Sequence, residues 1–360
     1  MSANIAILAP GAMGSAVARR LSEHGARVLT SLRGRSEGTA RRAAEAGMIA
    51  AEDADIAAAD IILSIVPPAE AVAVAERLAV SIAGCEKKPI VVDCNAVNVD
   101  TVCRVGDIIA SAKAPFVDAA IIGFPPKPGS EGPAFYVSGE HARDLGPLKQ
   151  LGLDLRVIDG PVGAASALKM SYAGIVKGLA GIGSAMVLAA TRAGAADALC
   201  EELALSQPAI LARLAIALPD MIPKTYRWVA EMREIAGFLG PDHPASLVYE
   251  GFARLFEHIA ADARGEAADA ALLKAFAASV GQKKGLKSAA ASFFNSRGLD
   301  PRTIDEVAFG QWVAGSGPAT TTMHCLNRHQ SAGSLRPART GRAGSAAPRR
   351  ARPSASDRPS

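Results

Sequence analysis

Residues Asn4–Ser15 read NIAILAPGAMGS, an apolar run that leads into a tight turn, and Ser15–His24 continues as an amphipathic segment. The order strand, glycine turn, helix is typical of a dinucleotide-binding turn. Gly11 lets the backbone approach a pyrophosphate, and Gly14 permits close packing of the helix on the strand. Ala9 stands where the usual G-x-G-x-x-G pattern has its first glycine. We therefore predict a cofactor-binding turn here, with a plain glycine-rich turn as the alternative.

The chain continues with short β-rich runs that alternate with helical segments such as Ala69–Ala83. This alternation is typical of right-handed βαβ units on a mostly parallel sheet. It predicts an α/β Rossmann domain over residues 1–160. The predicted strands are Ile5–Ala9, Arg27–Leu32, Ile61–Val66, Ile90–Asn95, Pro115–Ile121, Ala134–Ser138 and Leu155–Ile158.

Helical patterning takes over after Asp159-Gly160-Pro161 and runs to about Ala314. It predicts a second, all-α helical domain over residues 161–315, which we expect to contribute to substrate binding. The segment Val162–Thr191 is small and apolar, with Lys169 and Lys177 as its only interior charges. Its glycines, alanines, serines and central lysines favour a helix buried between domains over a membrane span. Residues 316–360 are rich in Arg, Pro, Ser and Ala, which predicts a disordered tail.

Composition and charge restrict the class of protein. The 360 residues carry a net charge of +4, but residues 316–360 hold eight Arg and a single acid, Asp357, so the rest of the chain is slightly acidic. The basic excess is therefore a property of the tail, and we expect no specific nucleic-acid partner and no membrane. The N-terminus shows no secretory signal pattern, so a cytoplasmic protein with reduced thiols and no metal is expected. The cysteines, none of them in a C-x-x-C pair, are Cys85, Cys94, Cys103, Cys200 and Cys325.

The loop after the second predicted strand reads Ser31-Leu32-Arg33-Gly34-Arg35-Ser36. An NAD enzyme places an acidic residue there for the ribose 2′-hydroxyl, whereas guanidinium groups suit a 2′-phosphate. The loop therefore favours NADP, with Arg33, Arg35 and Ser36 as contacts. As alternatives, the arginines are solvated loop charges and Ser36 caps the next helix.

Two more strand ends are expected at the carboxyl edge of the sheet, where a dinucleotide lies in such folds. They carry Val66-Pro67 and Asn95. Asn95 is a candidate for the ribose or nicotinamide side, or else an Asx-turn residue. The full set of predicted cofactor residues is Gly11, Ala12, Met13, Gly14, Arg33, Arg35, Ser36, Val66, Pro67 and Asn95.

Four motifs in order, at 11–14, 66–68, 118–123 and 163–170, make residues 4–240 resemble the β-hydroxyacid dehydrogenase superfamily, that is, 6-phosphogluconate and 3-hydroxyisobutyrate dehydrogenases. The resemblance implies that Lys169 is the acid/base residue. The physical chemistry agrees, because a lysine in a nearly uncharged helix is desolvated and its pKa falls toward neutrality. The alternative is a lysine that reaches solvent or forms a structural ion pair.

Departures from the family pattern fall on the substrate positions. The resemblance implies a serine before the glycine pair that contacts a substrate carboxylate, but here the turn is Ile122-Gly123. Val176 stands where decarboxylating phosphogluconate enzymes carry a glutamate, which disfavours that reaction. Tyr172 either donates a hydrogen bond to the substrate oxygen or is a buried tyrosine satisfied by the backbone. The predicted catalytic residues are Lys169 and Tyr172, and the predicted substrate-binding residues are Ile122, Gly123, Lys169 and Tyr172.

With these replacements the sequence resembles a phosphogluconate dehydrogenase-like branch of the superfamily. That branch also has a Tyr-Arg-Trp run, which here begins the segment Tyr226–Met232. Within it Arg227 either meets a substrate anion or pairs with Glu231. The expected activity is hydride transfer between NADP and a small hydroxy or carbonyl substrate, with a β-hydroxy acid as first candidate. The alternatives are reduction of C=N bonds by NADPH and a non-catalytic NADPH-binding regulator. The resemblance also implies a homodimer or higher homo-oligomer.

Overall fold

The computed structural model describes residues 3–127, 129 and 132–282. The predicted tail 316–360 and the last part of the predicted helical domain lie outside these residues. One eight-stranded sheet has the order β3-β2-β1-β4-β5-β6-β7-β8. The strands are β1 Asn4–Leu8, β2 Arg27–Thr30, β3 Met48–Ala50, β4 Ile61–Ser64, β5 Ile90–Asp93, β6 Phe116–Ile122, β7 Ala134–Ser138 and β8 Asp154–Val157.

The first six strands are parallel and follow the order of a doubly wound dinucleotide-binding sheet. Strand β7 runs antiparallel to β6, and β8 runs parallel to β7. The predicted Rossmann domain is thus confirmed, with strand ends shifted by one or two residues. Strand β3 was not predicted, because it has three residues and buries only Met48, which leaves no pattern to read.

Helices cover both faces of this sheet. Along β1, Ile5 and Ile7 point into one apolar core while Ala6 and Leu8 point into the other, as the two-residue period of a strand requires. The helices of this half are α1 Ala12–Glu23, α2 Glu37–Glu45, α3 Asp53–Ala57, α4 Ala71–Ala83, α5 Val99–Ser111 and α6 Gly146–Gln150.

The second half is helical, which confirms the predicted change of character. A third core joins its helices, with Phe256 fully buried and Trp228 against it edge-on at 5.3 Å between ring centroids. The helices are α7 Ala164–Arg192, α8 Ala196–Ser206, α9 Pro208–Met221, α10 Thr225–Leu239, α11 Pro244–Asp262 and α12 Ala268–Gln282.

Helix α7 lies between the two halves, since it contacts β6 and β7 on one side and α9–α12 on the other. By length and composition alone it is apolar enough to cross a membrane, and 39% of its most apolar 18-residue window is buried. The predicted burial therefore holds for one face only. Glycines on that face let neighbouring helices approach closely, while several large apolar side chains on the other face remain exposed.

Candidate functional site

The turn after β1 is built around Ala9 and Gly14. Ala9 adopts a left-handed backbone with φ +66°, and its carbonyl accepts a hydrogen bond from the Gly11 N–H at 2.8 Å. A Cβ on Gly14 would lie 2.5 Å from the same carbonyl oxygen. Only glycine fits at position 14, because the first turn of α1 passes directly over this oxygen.

The N-terminus of α1 faces open space. Gly11 is the N-cap residue, no side chain caps the helix, and a Cβ on Gly11 would meet no atom within 4 Å. Gly11 and Ala12 are exposed, whereas the half-buried Met13 packs against the sheet core. Uncapped N–H groups at a helix start suit an anion, so this turn fits a pyrophosphate.

A cavity of about 290 Å³ lies beside the turn, and three arginines line it. Arg33 and Arg35 come from the loop after β2, as the sequence suggested, while Arg77 comes from α4. Arg77 was not predicted, because one arginine on an amphipathic helix gives no local signal. Guanidinium groups bind phosphate oxygens well, so the cavity fits an adenosine 2′-phosphate. The full lining is Leu8, Ala9, Ser31, Arg33, Arg35, Asp53, Val66, Val74 and Arg77.

Asp53 is the acidic residue of this cavity, and its carboxylate lies 4.0 Å from the Arg77 guanidinium. Ser36 lies outside the lining and caps α2, since its hydroxyl accepts a hydrogen bond from the Thr39 N–H at 3.3 Å. The capping alternative for Ser36 is therefore confirmed, and its contact with a cofactor stays a prediction. Pro67 is exposed and also lies outside the lining, whereas its neighbour Val66 belongs to it.

Asn95 is buried, and its amide is occupied by the protein. The Nδ2 group donates to Ser64 Oγ at 3.1 Å and to Asp93 Oδ2 at 2.7 Å, and Oδ1 accepts from the Val66 N–H at 2.7 Å. Both amide protons are used within the protein, and contact of Asn95 with the ribose or nicotinamide side stays a prediction. The Asx turn belongs to Asp93, whose Oδ1 accepts the Asn95 N–H at 2.9 Å. Asn95 instead joins the ends of β4 and β5 and positions Val66.

Lys169 lies in the second turn of α7, and the carboxylates that act on it belong to Asp93 and Asp118. Burial lowers the pKa of Lys169 below its ordinary value, while these negative groups oppose the shift. Within the part of the chain that the structure describes, its ammonium group forms no hydrogen bond or ion pair. The pKa of Lys169 is thus shifted in the direction that the sequence predicted. The alternative, in which Lys169 forms a structural ion pair, is not observed among the described residues.

Asp93 and Cys94 end strand β5 next to this lysine. Burial raises the pKa of Asp93 to about 6, against the opposing effect of its hydrogen bonds with Asn95. Burial also raises the pKa of the Cys94 thiol, which therefore stays protonated at neutral pH. Burial thus lowers the pKa of Lys169 and raises the pKa of Asp93, so both pKa values shift toward neutral pH, as in acid/base sites.

Asp118, in the middle of β6, holds the start of α7. Its Oδ2 accepts hydrogen bonds from the backbone N–H groups of Gly163, Ala165 and Ser166 at 2.9–3.0 Å and from Ser138 Oγ at 3.1 Å. Its Oδ1 accepts the Ser166 hydroxyl at 2.7 Å. This role was not predicted. The available signal was a lone acid in the otherwise apolar strand FVDAAII.

The predicted substrate positions occupy two elements. Ile122 is the last residue of β6 and is half-buried, and Gly123 follows with φ +131° and a Cβ position 3.0 Å from Pro133. Tyr172 is 47% exposed on α7, and its hydroxyl bonds to none of the described residues. The alternative of a buried, backbone-satisfied Tyr172 is therefore wrong, and its contact with a substrate stays a prediction.

The Tyr-Arg-Trp run begins α10. Arg227 is exposed, with its guanidinium 5.7 Å from the ring centroid of Tyr226. Glu231 pairs with Lys177, whose ammonium also lies 5.3 Å from the ring centroid of Trp228. The alternative of an Arg227–Glu231 pair is therefore wrong, because the half-buried Lys177 pairs with the carboxylate of Glu231.

Two families match the sequence. Residues 4–144 match the NAD binding domain of 6-phosphogluconate dehydrogenase, and residues 190–259 match a domain of unknown function, DUF1932. An uncharacterised 28.5 kDa protein of Methanothermus fervidus is 34% identical over 178 residues. The alignment covers 49% of this chain and 66% of that relative.

Solved structures share the fold. A conserved protein of unknown function, described as structurally similar to 3-hydroxyacid dehydrogenases, is 27% identical with a TM-score of 0.59 over 72% of this chain and 98% of its own. The 3-hydroxyisobutyrate dehydrogenase of Mycobacterium tuberculosis, at 19% identity, has a TM-score of 0.55 over 79% of this chain and 100% of its own. Residues 4–144 are therefore similar to the NAD binding domain of 6-phosphogluconate dehydrogenase and residues 190–259 to DUF1932, on a fold shared with a solved protein described as similar to 3-hydroxyacid dehydrogenases.

Proposed function

We propose that this protein is an NADP-dependent oxidoreductase that interconverts a small hydroxy compound and its carbonyl partner, with Lys169 as the general acid/base. The observation that carries the proposal is the desolvated Lys169 ammonium, which forms no hydrogen bond or ion pair within the described residues and interacts electrostatically with Asp93 at the carboxyl end of β5. In sheets of this order the dinucleotide lies along that carboxyl edge.

The residues that would hold NADP are those of the α1 turn and the cavity. The first-turn N–H groups of α1 would hold the pyrophosphate, and Arg33, Arg35 and Arg77, which line the cavity, would hold the 2′-phosphate. When bound, the nicotinamide accepts a hydride from the substrate carbon or returns it. The free thiols Cys85, Cys94, Cys103 and Cys200 support a reducing, cytoplasmic compartment.

Lys169 moves the hydroxyl proton. In the oxidation direction its neutral Nζ removes the proton from the substrate hydroxyl, and in the reduction direction its ammonium gives the proton to the carbonyl oxygen. A lowered pKa increases the neutral fraction near pH 7, which favours the first role. Tyr172, one turn further along α7, supplies a phenol that can donate to the same substrate oxygen.

The substrate is expected to be less polar than those of enzymes with a serine at the β6 turn. Ile122 is half-buried there and offers no hydroxyl to a carboxylate. A β-hydroxy acid remains the first candidate because the fold is that of 3-hydroxyacid dehydrogenases. The role of Lys169 in proton transfer does not depend on the acid group.

The test is a substrate panel assayed by cofactor absorbance. β-Hydroxy acids are offered with NADP, and the corresponding aldehydes, ketones and cyclic imines with NADPH, each repeated with NAD or NADH. The proposal predicts turnover of a hydroxy/carbonyl pair and preference for the phosphorylated cofactor. Turnover of imines alone would establish a C=N reductase instead, and NADPH that binds but is never oxidised would establish a regulator.

A further inference from the structure

Asp93 is a buried carboxylate close to the proposed acid/base residue. It lies at the carboxyl end of β5 and is 1% exposed. Its hydrogen bonds come from a single neutral residue, since Oδ1 accepts the Asn95 backbone N–H at 2.9 Å and Oδ2 accepts the Asn95 Nδ2 group at 2.7 Å. Neutral donors lower the cost of a buried negative charge but do not neutralise it. A cation near Asp93 would therefore be stabilised by it.

The register of the sheet shows which cation this is. Asp93 and Asp118 are partners in the parallel pairing of β5 and β6, and such partners point to the same face of a sheet. Asp118 accepts hydrogen bonds from the N–H and the hydroxyl of Ser166, so the first turn of α7 covers this face. Lys169 lies three residues after Ser166, on the same side of the helix. Asp93 and Lys169 therefore face each other where α7 packs on the sheet.

Each of these two groups acts on the pKa of the other. Burial lowers the pKa of Lys169, and the Asp93 carboxylate opposes this shift. Burial raises the pKa of Asp93 to about 6, and the Lys169 ammonium opposes that shift. Above about pH 6 the carboxylate is thus mostly ionised, and its charge favours the ammonium form of Lys169.

The other titratable groups of the sheet and of α5 near Lys169 are engaged or uncharged. The Asp118 carboxylate accepts hydrogen bonds from Ser138 and from the start of α7. Burial raises the pKa of the Cys94 thiol on β5 and of the Cys103 thiol on α5, so both thiols are protonated at neutral pH. Asp93 is therefore the carboxylate of this face that is left to balance the lysine.

Helix α10 brings further charged groups to α7, and its acids have other partners. Glu231 pairs with Lys177, the second lysine of α7. Glu234 accepts a hydrogen bond from the backbone N–H of Asn98 at 3.3 Å. These contacts leave the pairing of charge between Asp93 and Lys169 undisturbed.

We propose that Asp93 is the counterion of Lys169, a positioning residue that stabilises the ammonium form of the lysine during proton transfer. In the oxidation direction the substrate O–H bond breaks and an N–H bond forms at Nζ, while the carbon gives its hydride to the cofactor. The positive charge that appears on Nζ is met by the Asp93 carboxylate, which takes no proton itself. This role rests on the proposed function, whereas the electrostatic coupling of the two residues does not.

The coupling is tested without substrate by carbon NMR of the Asp93 carboxyl group in the full chain. Its titration midpoint is expected at about 6 in wild type. Lys169→Met removes the positive charge, so the midpoint should rise by about one pH unit, as for the loss of a nearby opposite charge. Lys177→Met, at a half-buried lysine of the same helix that pairs with Glu231, is the matched control and should leave the midpoint in place.

The pH profile of kcat tests the role in the reaction. Asp93→Asn keeps the size of the side chain and removes its charge, so the pKa of Lys169 should fall. The inflection in kcat should therefore move to lower pH by about one pH unit, for oxidation and for reduction alike. In the control Cys94→Ala the inflection should stay in place, because Cys94 packs in the core on the opposite face of the sheet and its thiol is uncharged.

An Asp93 midpoint that is the same in wild type and Lys169→Met would overturn the proposal, and this comparison decides even where Asp93→Asn does not fold. A folded Asp93→Asn variant whose inflection stays in place, or moves to higher pH, would overturn it too, since a purely structural Asp93 affects stability alone. Wild type that shows the coupled titration but turns over no hydroxy or carbonyl compound would count against the proposed function and not against the coupling.

Discussion

The carboxylate of Asp118 accepts two hydrogen bonds from Ser166, one from its backbone N–H at 3.0 Å and one from its hydroxyl at 2.7 Å. Ser166 lies in the first turn of α7, three residues before Lys169. Strand β6 therefore fixes the helix that carries the proposed acid/base residue, and the position of Lys169 depends on the buried carboxylate of Asp118.

Replacing Asp118 by alanine should destabilise the protein and misplace Lys169. The change leaves the buried N–H groups of Gly163 and Ser166 without an acceptor, at a cost of about 3 kcal/mol or more in the free energy of unfolding. Denaturant unfolding measures the loss. The exposed Asp107→Ala is the control and should change stability by less than about 0.5 kcal/mol. Equal effects of the two changes would refute the anchoring role.

Replacement by alanine should affect stability at Gly14 and cofactor binding at Gly11. Gly14→Ala forces a methyl group to 2.5 Å from the Ala9 carbonyl, so stability should fall by about 1–3 kcal/mol. Gly11→Ala meets nothing within 4 Å in the protein, so stability should hold within about 1 kcal/mol. Its added methyl stands on the open side, where it should raise the Kd for NADPH. Unchanged NADPH affinity in a folded Gly11→Ala variant would mean that the pyrophosphate does not bind at this turn.

The cavity arginines should determine the choice between NADPH and NADH. The double change Arg33→Ala/Arg35→Ala should weaken NADPH about tenfold or more and leave NADH nearly unaffected, because only NADPH carries the 2′-phosphate. Arg77→Ala should act in the same direction. Arg41→Ala, an exposed cation of α2 outside the cavity lining, controls for charge alone. Fluorescence titration with both cofactors decides, and equal weakening of NADH would contradict phosphate recognition.

The lowered pKa of Lys169 should appear as a pH dependence of stability. Between that pKa and the ordinary value of 10.5, the unfolded chain holds a proton that the folded chain has lost. The free energy of unfolding therefore rises with pH in this window, by at most about 1.4 kcal/mol per pH unit for one group. Lys169→Met removes this contribution, so the stability of wild type relative to the variant should rise as pH approaches 10.5. A constant difference across the window would mean that the folded pKa is ordinary.

The fold could be predicted from the sequence because the local patterns of the Rossmann half agree with its tertiary structure. The apolar run of β1, the glycine turn and α1 are contiguous, so their geometry can be predicted from short-range rules. Strand β3 escaped notice because a three-residue strand with Met48 as its buried residue leaves no alternation to read. The prediction for Lys169 came from its apolar helix and its motif, and its role in proton transfer stays a prediction.

The rest of the candidate site depends on contacts distant in sequence. Strand register sets Ser64 beside Asp93, and this brings the Asn95 amide to the Val66 N–H. The hydrogen bonds of the Asn95 amide therefore cannot be predicted from the sequence around Asn95 alone. Arg77 reaches the cavity only because α4 packs beside the loop that carries Arg33 and Arg35. The sequence around a single residue on a regular helix does not indicate such long-range contacts.

The most direct test of the proposed chemistry compares wild type and Lys169→Ala in one preparation, with NADPH affinity measured by fluorescence and turnover measured on the best substrate of the panel. The account predicts a folded variant with unchanged NADPH affinity and a loss of about 100-fold or more in kcat, the usual scale for a missing general acid/base. A variant that binds NADPH and keeps the kcat of wild type would contradict it.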